Sequence, residues 1–119
     1  MLFRSKKNDI IILEDTCESV GSKFSDKKLG CFGIMSSFSF YYGHHISTIE
    51  GGMVSTDNEE LYHILLSIRS HGWDRDLPKS ETKRLRDKYK LNDFRALYTF
   101  YYPGFNLRST DLQIGRAHV

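Results

Sequence analysis

Side chains able to move a proton, hold an anion or carry a fixed charge fall in five short stretches. They are Glu14-Asp15-Thr16-Cys17-Glu18, the run Ser37-Phe38-Ser39-Phe40-Tyr41-Tyr42-Gly43-His44-His45, Glu50-Gly51-Gly52, Ser70-His71-Gly72-Trp73, and Gly104-Phe105-Asn106-Leu107-Arg108-Ser109-Thr110-Asp111. Histidine transfers protons near neutral pH, and the adjacent His44 and His45 project in different directions. Asp15 follows a β-branched apolar run, so it stands at the C-terminal end of a strand, where open α/β sheets place their ligands. In isolation, Asp15 reads first as a helix or turn cap at the strand end, and the surrounding motif reverses that reading. Arg108 carries a planar multi-donor head suited to anions, although as bare sequence Asn106 and Arg108 are loop residues. His71 and Trp73 either line a binding site or pack against their neighbours. His63 lies on the polar side of a helix and is expected to be solvated. No lysine stands between Lys28 and Lys79.

Metal chemistry has little to work with. Cys17 and Cys31 are the only thiols, too few for an iron-sulfur cluster, and a pair of adjacent histidines without a Cys-x-x-Cys spacing makes a poor zinc site.

Residues 10–13, Ile-Ile-Ile-Leu, read as a short strand buried on both faces. Residues 21–30 read as a loop or hairpin, 35–42 as an aromatic-rich second strand, and 53–55 as a third. The clearest periodicity is that of Leu61, Ile64, Leu65 and Ile68, which predicts a helix over 58–71. Thr56 or Asp57 suits its N-cap, and Gly72 suits the left-handed residue beyond its end. Residues 74–93 are charged and weakly periodic, an exposed excursion with one helical piece. Tyr98, Phe100, Tyr101 and Tyr102 suit packing, Pro103-Gly104 turns the chain, and Thr110-Asp111 suits the cap of a further helix. Strands this apolar need helices on both faces, yet only one helix is well marked. The segment therefore reads as a piece of a larger α/β domain.

Composition agrees with a globular chain: 119 residues, 39% hydrophobic, 27% charged, 13% aromatic, net charge +2. No basic stripe suggests nucleic acid or a membrane surface. The longest apolar run is four residues, against the roughly 20 that a bilayer crossing needs. With two cysteines and no export signal, the expected setting is a reducing cytoplasm.

The order and spacing of these stretches resemble the DegT/DnrJ/StrS sugar aminotransferases over about residues 5–113. The resemblance implies an α/β fold, a fragment of the large domain of a pyridoxal-phosphate transferase of fold type I, with a mostly parallel sheet and flanking helices. It implies that Asp15 pairs with the cofactor's pyridine nitrogen and Ser39 donates to its phosphate. Glu18 lies at a position near the cofactor ring that usually holds an amide. Asn106 and Arg108 match residues reaching across a homodimer interface toward cofactor or substrate, and His71 becomes a candidate sugar contact.

One position departs from the pattern. Five residues after the phosphate-binding serine the family places the lysine that links covalently to the cofactor, and this chain has His44. The change resembles the family's 3-dehydratase branch, in particular members acting on GDP-4-keto-6-deoxy-D-mannose on the way to colitose. That branch implies pyridoxamine phosphate as the working cofactor, L-glutamate as amino donor, and His44 as the acid/base. A related branch bears an iron-sulfur cluster on cysteines downstream of the histidine; this chain has none after Cys31. Two rivals are a sugar 4-aminotransferase, disfavoured by the missing lysine, and a non-catalytic member, which would not need Asp15, Ser39 and Asn106 together.

Residues 1–113 are read as part of the cofactor-binding domain, cut at both ends, and therefore inactive alone. Residues 114–119, Ile-Gly-Arg-Ala-His-Val, leave the family pattern and equal the translation of a common sequencing adapter (ATC GGA AGA GCA CAC GTC). No function is expected of Arg116 or His118.

Overall fold

A computed structural model describes residues 2–109, with side chains from Arg4 onward; residues 110–119, including the expected cap at Thr110-Asp111, lie outside the described part. The chain divides into two compact units, one built on residues up to Asn58 and one spanning Glu59–Arg108.

The first unit opens with α1, Leu2–Lys7. Its sheet has three strands in the order β1 (Leu13–Asp15), β4 (Met35–Ser39), β5 (Gly52–Ser55). The hairpin expected over 21–30 is present as β2 (Lys23–Phe24) and β3 (Lys27–Lys28). Its turn residues Ser25 and Asp26 both have positive φ, 48° and 62°, the geometry that matches a two-residue hairpin to strand twist. β1 and β4 run parallel, with Asp15 opposite Ser37, whereas β4 and β5 run antiparallel. Within this chain the sheet is therefore mixed.

The expected buried strand over 10–13 is displaced toward the acids. Ladder hydrogen bonding begins where Ile34 N donates to Ile12 O (2.9 Å), and the strand proper is Leu13–Asp15. Ile10, Ile11 and Leu13 are exposed. A three-stranded layer leaves such side chains wet, because burial on both faces needs layers above and below.

What shapes the end of β1 is Glu14. Its carboxylate accepts backbone N–H groups from Gly30 (2.7 Å), Phe32 (2.5 Å) and Gly33 (2.6 Å), which folds the 30–33 loop back onto the strand. Partial burial works against the charge. The three N–H donors outweigh it and Lys27 adds attraction, so the carboxyl lies below its ordinary value of 4.5. Close approach explains Gly33, where a Cβ would run into the Ile12 carbonyl.

In the second unit α2 spans Glu59–Ile68, shorter at both ends than the periodicity predicts. Thr56 does not cap it directly; its hydroxyl accepts from Asn58 N (3.1 Å) and donates to Ile34 O (2.8 Å). The excursion carries α3, Lys79–Lys88, and a short α4, Asp93–Ala96, whose N-cap Asn92 accepts from Arg95 N (2.8 Å). They surround a buried Asp74 that receives Arg86 Nε (2.8 Å) and Tyr101 OH (3.2 Å). Burial first, then the Asp74 charge, pushes the Tyr101 hydroxyl up. No helix among the described residues is long and apolar enough to cross a membrane.

Glu14→Gln in the full-length protein is expected to lower stability by about 1–3 kcal/mol, because an amide accepts the N–H groups more weakly and brings donors into an acceptor site. The wild-type advantage is fully present above the ordinary carboxylate value and is lost as pH falls through the depressed folded value. Thermal unfolding of both proteins from neutral to acid pH measures it: the midpoints should converge toward acid.

Candidate active site

Side-chain alternation along β1 sends adjacent acids to opposite faces of the sheet. Glu14 shares its face with its register partner Ser36 and turns to the 30–33 loop. Asp15 pairs with Ser37, and Ser39 follows two residues on, so Asp15, Ser37 and Ser39 share the other face. Thr16, buried, locks the corner: its hydroxyl and its N–H both donate to Ser37 O, at 2.6 and 3.0 Å.

Asp15 is held in its ionised form. Cys17 contributes most, through its thiol and then its backbone N–H (3.2 Å to Oδ1), and Ser37 Oγ adds a weaker bond (3.4 Å), together outweighing desolvation to hold the carboxyl below its ordinary range. The same contact pushes the Cys17 thiol up, since a thiolate beside Asp15 would place two negative charges together. Ser39, the last residue of β4, accepts from Tyr41 N (3.3 Å) and keeps its own O–H to donate. Tyr41 begins a tight turn closed by His44 N to Tyr41 O (3.0 Å), which presents the His44 ring edge-on to Tyr41 at 5.6 Å.

The His44 side chain is 19% exposed; its Nδ1 is buried without a hydrogen-bond partner, and its Nε2 lies 3.6 Å from Glu18 Oε1. Glu18, expected near the cofactor ring, is thus a highly exposed loop acid at 80% that meets the imidazole. The sequence motifs contain Ser37, Tyr41 and Cys17 without assigning any of them a role in the site. The alternating Ser-x-Ser on an aromatic strand was the available signal for Ser37; Cys17 offered none beyond its neighbours.

The remaining candidates belong to the second unit. Segment 101–107 closes the C-terminal end of α2: Phe105 N donates to Ile68 O (2.7 Å), Leu107 N to Arg69 O (2.8 Å) and Tyr101 N to Gly72 O (2.8 Å). Asn106 bridges Ser70, and Arg108 donates to the buried Ser70 hydroxyl while lying 4.0 Å from Asp76. Arg108 therefore folds back onto its own unit here. His71 packs 5.0 Å from Trp73, which stacks on Phe100 and carries the Arg75 guanidinium over its ring at 3.8 Å. Gly72 has the left-handed φ of 86° expected for it, and a Cβ there would overlap the Tyr102 carbonyl.

Residues 4–114 match the sequence profile of the DegT/DnrJ/EryC1/StrS aminotransferase family. The chain belongs to this family. The GDP-4-keto-6-deoxy-D-mannose 3-dehydratase of Escherichia coli O55:H7 (strain CB9615 / EPEC) is 48% identical over 104 residues, 87% of this chain and 26% of that protein. A solved structure described as the E. coli GDP-4-keto-6-deoxy-D-mannose-3-dehydratase with bound hydrated PLP superposes with a TM-score of 0.75 at 45% identity, covering 92% of this chain and 28% of that one. A UDP-4-amino-4,6-dideoxy-N-acetyl-beta-L-altrosamine transaminase of Helicobacter pylori (strain ATCC 700392 / 26695) is 35% identical over 92 residues, 76% of this chain and 24% of that protein. The chain spans about a quarter of the length of the curated relatives it matches. It is a partial α/β piece of a fold-type I transferase, as the sequence motifs implied.

Gly72→Ala in the full-length protein is expected to cost roughly 2 kcal/mol or more, combining positive-φ strain with a backbone clash. Thermal unfolding measures it, and Gly21→Ala is the control: Gly21 also has positive φ (82°), but a Cβ there meets nothing within 4 Å, so its loss should be clearly smaller.

Proposed function

We propose that this family member is part of a nucleotide-sugar 3-dehydratase that removes the C3 hydroxyl of a 4-keto-6-deoxy sugar nucleotide, GDP-4-keto-6-deoxy-D-mannose being the leading substrate. The observation that carries the reading is His44 standing where the family places its cofactor-linked lysine, in a segment with no lysine between Lys28 and Lys79. Strong similarity to a relative of that activity supports it.

The residues present fit a pyridoxal- or pyridoxamine-phosphate group. Asp15, kept ionised at the sheet end, suits a protonated pyridine nitrogen, and Ser39 retains a hydroxyl proton for a phosphate oxygen. When bound, the amine form of the cofactor supplies a nucleophilic amine for the sugar's ketone and a ring that accepts electrons. His44 is the proton-moving group: its imidazole accepts a proton in the elimination and delivers one to the departing C3 hydroxyl. Without a lysine it holds no covalent anchor, which disfavours transamination. Overall the sugar loses its C3 oxygen, L-glutamate becomes 2-oxoglutarate, and ammonia is released.

Asn106, Arg108 and His71 are assigned to cofactor and substrate contacts in a homodimer, with Arg108 released from Ser70 and Asp76 to reach them. Residues 1–113 belong to the cofactor-binding domain, residues 114–119 contribute nothing, and the enzyme works in the cytoplasm. No nucleic-acid or membrane partner is assigned.

Mass spectrometry on the full-length protein with pyridoxal phosphate, L-glutamate and GDP-4-keto-6-deoxy-D-mannose should show a sugar nucleotide lighter by one oxygen. A ketone replaced by an amine instead would identify a 4-aminotransferase. His44→Lys is expected to abolish dehydration and to permit covalent attachment of the cofactor, read as a shift in its absorbance. Undiminished dehydration in that variant removes His44 from the mechanism.

A further inference from the structure

The loops that follow β1 and β4 leave the same end of a parallel pair, because Asp15 and Ser37 are register partners and both strands run on in one direction. Glu18 lies on the first loop and His44 on the second. Their side chains meet at 3.6 Å between Oε1 and Nε2, slightly beyond direct hydrogen bonding and within ion-pair distance. Two further carboxylates act at this junction, Asp15 on Cys17 and Glu50 on Tyr41, and Glu18 is the one that lies within ion-pair distance of the imidazole among the described residues. Tyr41 meets the imidazole edge-on, and its hydroxyl is pushed up by hydrogen bonding to Tyr42, so it stays neutral. The Cys17 thiol is likewise pushed up, by Asp15 first and in small part by Glu18, and stays neutral. The second ring nitrogen, Nδ1, is buried without a hydrogen-bond partner.

We propose that Glu18 is the charge partner of His44, a positioning residue whose carboxylate orients the ring through Nε2 and stabilises the imidazolium formed when His44 holds a proton. This rests on the reading of His44 as the proton-moving group and gives Glu18 a role beyond contact with the cofactor. The ring is largely covered while the carboxylate reaches water. The attraction is therefore modest in the open site and grows when bound ligands displace water around the pair. A neutral amide at position 18 could accept a hydrogen bond but could not balance the developing charge.

The test uses the full-length protein. Glu18→Gln should lower turnover roughly 10- to 100-fold while KM changes less than about twofold, the pattern for an interaction made chiefly in the transition state. Glu18→Ala should lose a similar amount and recover in part with added formate, but not with formamide, which has the shape without the charge. Independently of activity, the ¹⁵N resonances of the His44 ring, read without cofactor or sugar, should shift in Glu18→Gln, because the carboxylate facing Nε2 is gone. Unmoved resonances overturn the pair, including the case where cofactor binding alone weakens, and so does wild-type turnover in Glu18→Gln. Moved resonances with dehydration intact in His44→Asn would leave the ion pair standing and overturn the function assigned to His44.

Discussion

Three backbone N–H groups converging on one carboxylate set the geometry from which the first unit's candidate site is built. Glu14 ties the 30–33 loop to the end of β1, and that loop leads directly into β4. Once β4 is delivered beside β1 in parallel register, Asp15 falls opposite Ser37 and Ser39 follows on the same face. The two adjacent acids thus part by alternation: Glu14 takes the backbone of the 30–33 loop, and Asp15 faces Cys17 and Ser37. Charge alone would not separate them, since both carboxyls lie below their ordinary values. Their partners do.

The second unit solves a different problem, the orphan carbonyls at the end of a helix. Segment 101–107 supplies N–H groups to α2 and is itself pressed against Gly72, where no side chain could fit. The same closure brings Ser70, Asn106 and Arg108 together. Arg108 is held there by a buried hydroxyl, with the Asp76 carboxylate nearby.

Apolar burial is sparse throughout. Among the described residues, Leu85 and Ala96 are the fully buried apolar side chains, while Ile10, Ile11, Leu13, Met53 and Val54 around the sheet are exposed. Polar fastening carries the local order instead: Glu14 on its loop, Thr16 on Ser37, Asp74 with Arg86 and Tyr101. That balance accords with a chain spanning about a quarter of its relatives' length, because a single sheet layer has one-layer burial whatever its sequence.

The linear order of residues determined the family, the hairpin over 21–30, the helix with Leu61, Ile64, Leu65 and Ile68, and the lysine-free stretch around His44. These are legible because turn chemistry, helical period and motif spacing are local properties of a chain. Only the tertiary structure decided that the first strand runs Leu13–Asp15 and leaves Ile10 and Ile11 exposed, that β5 runs antiparallel to β4, and that Glu14 rather than Asp15 binds the loop. It also decided that Glu18 meets His44, 26 positions further along the chain, and that Arg108 returns to Ser70. Those facts depend on register and on which groups satisfy one another at a distance, and composition and periodicity carry neither.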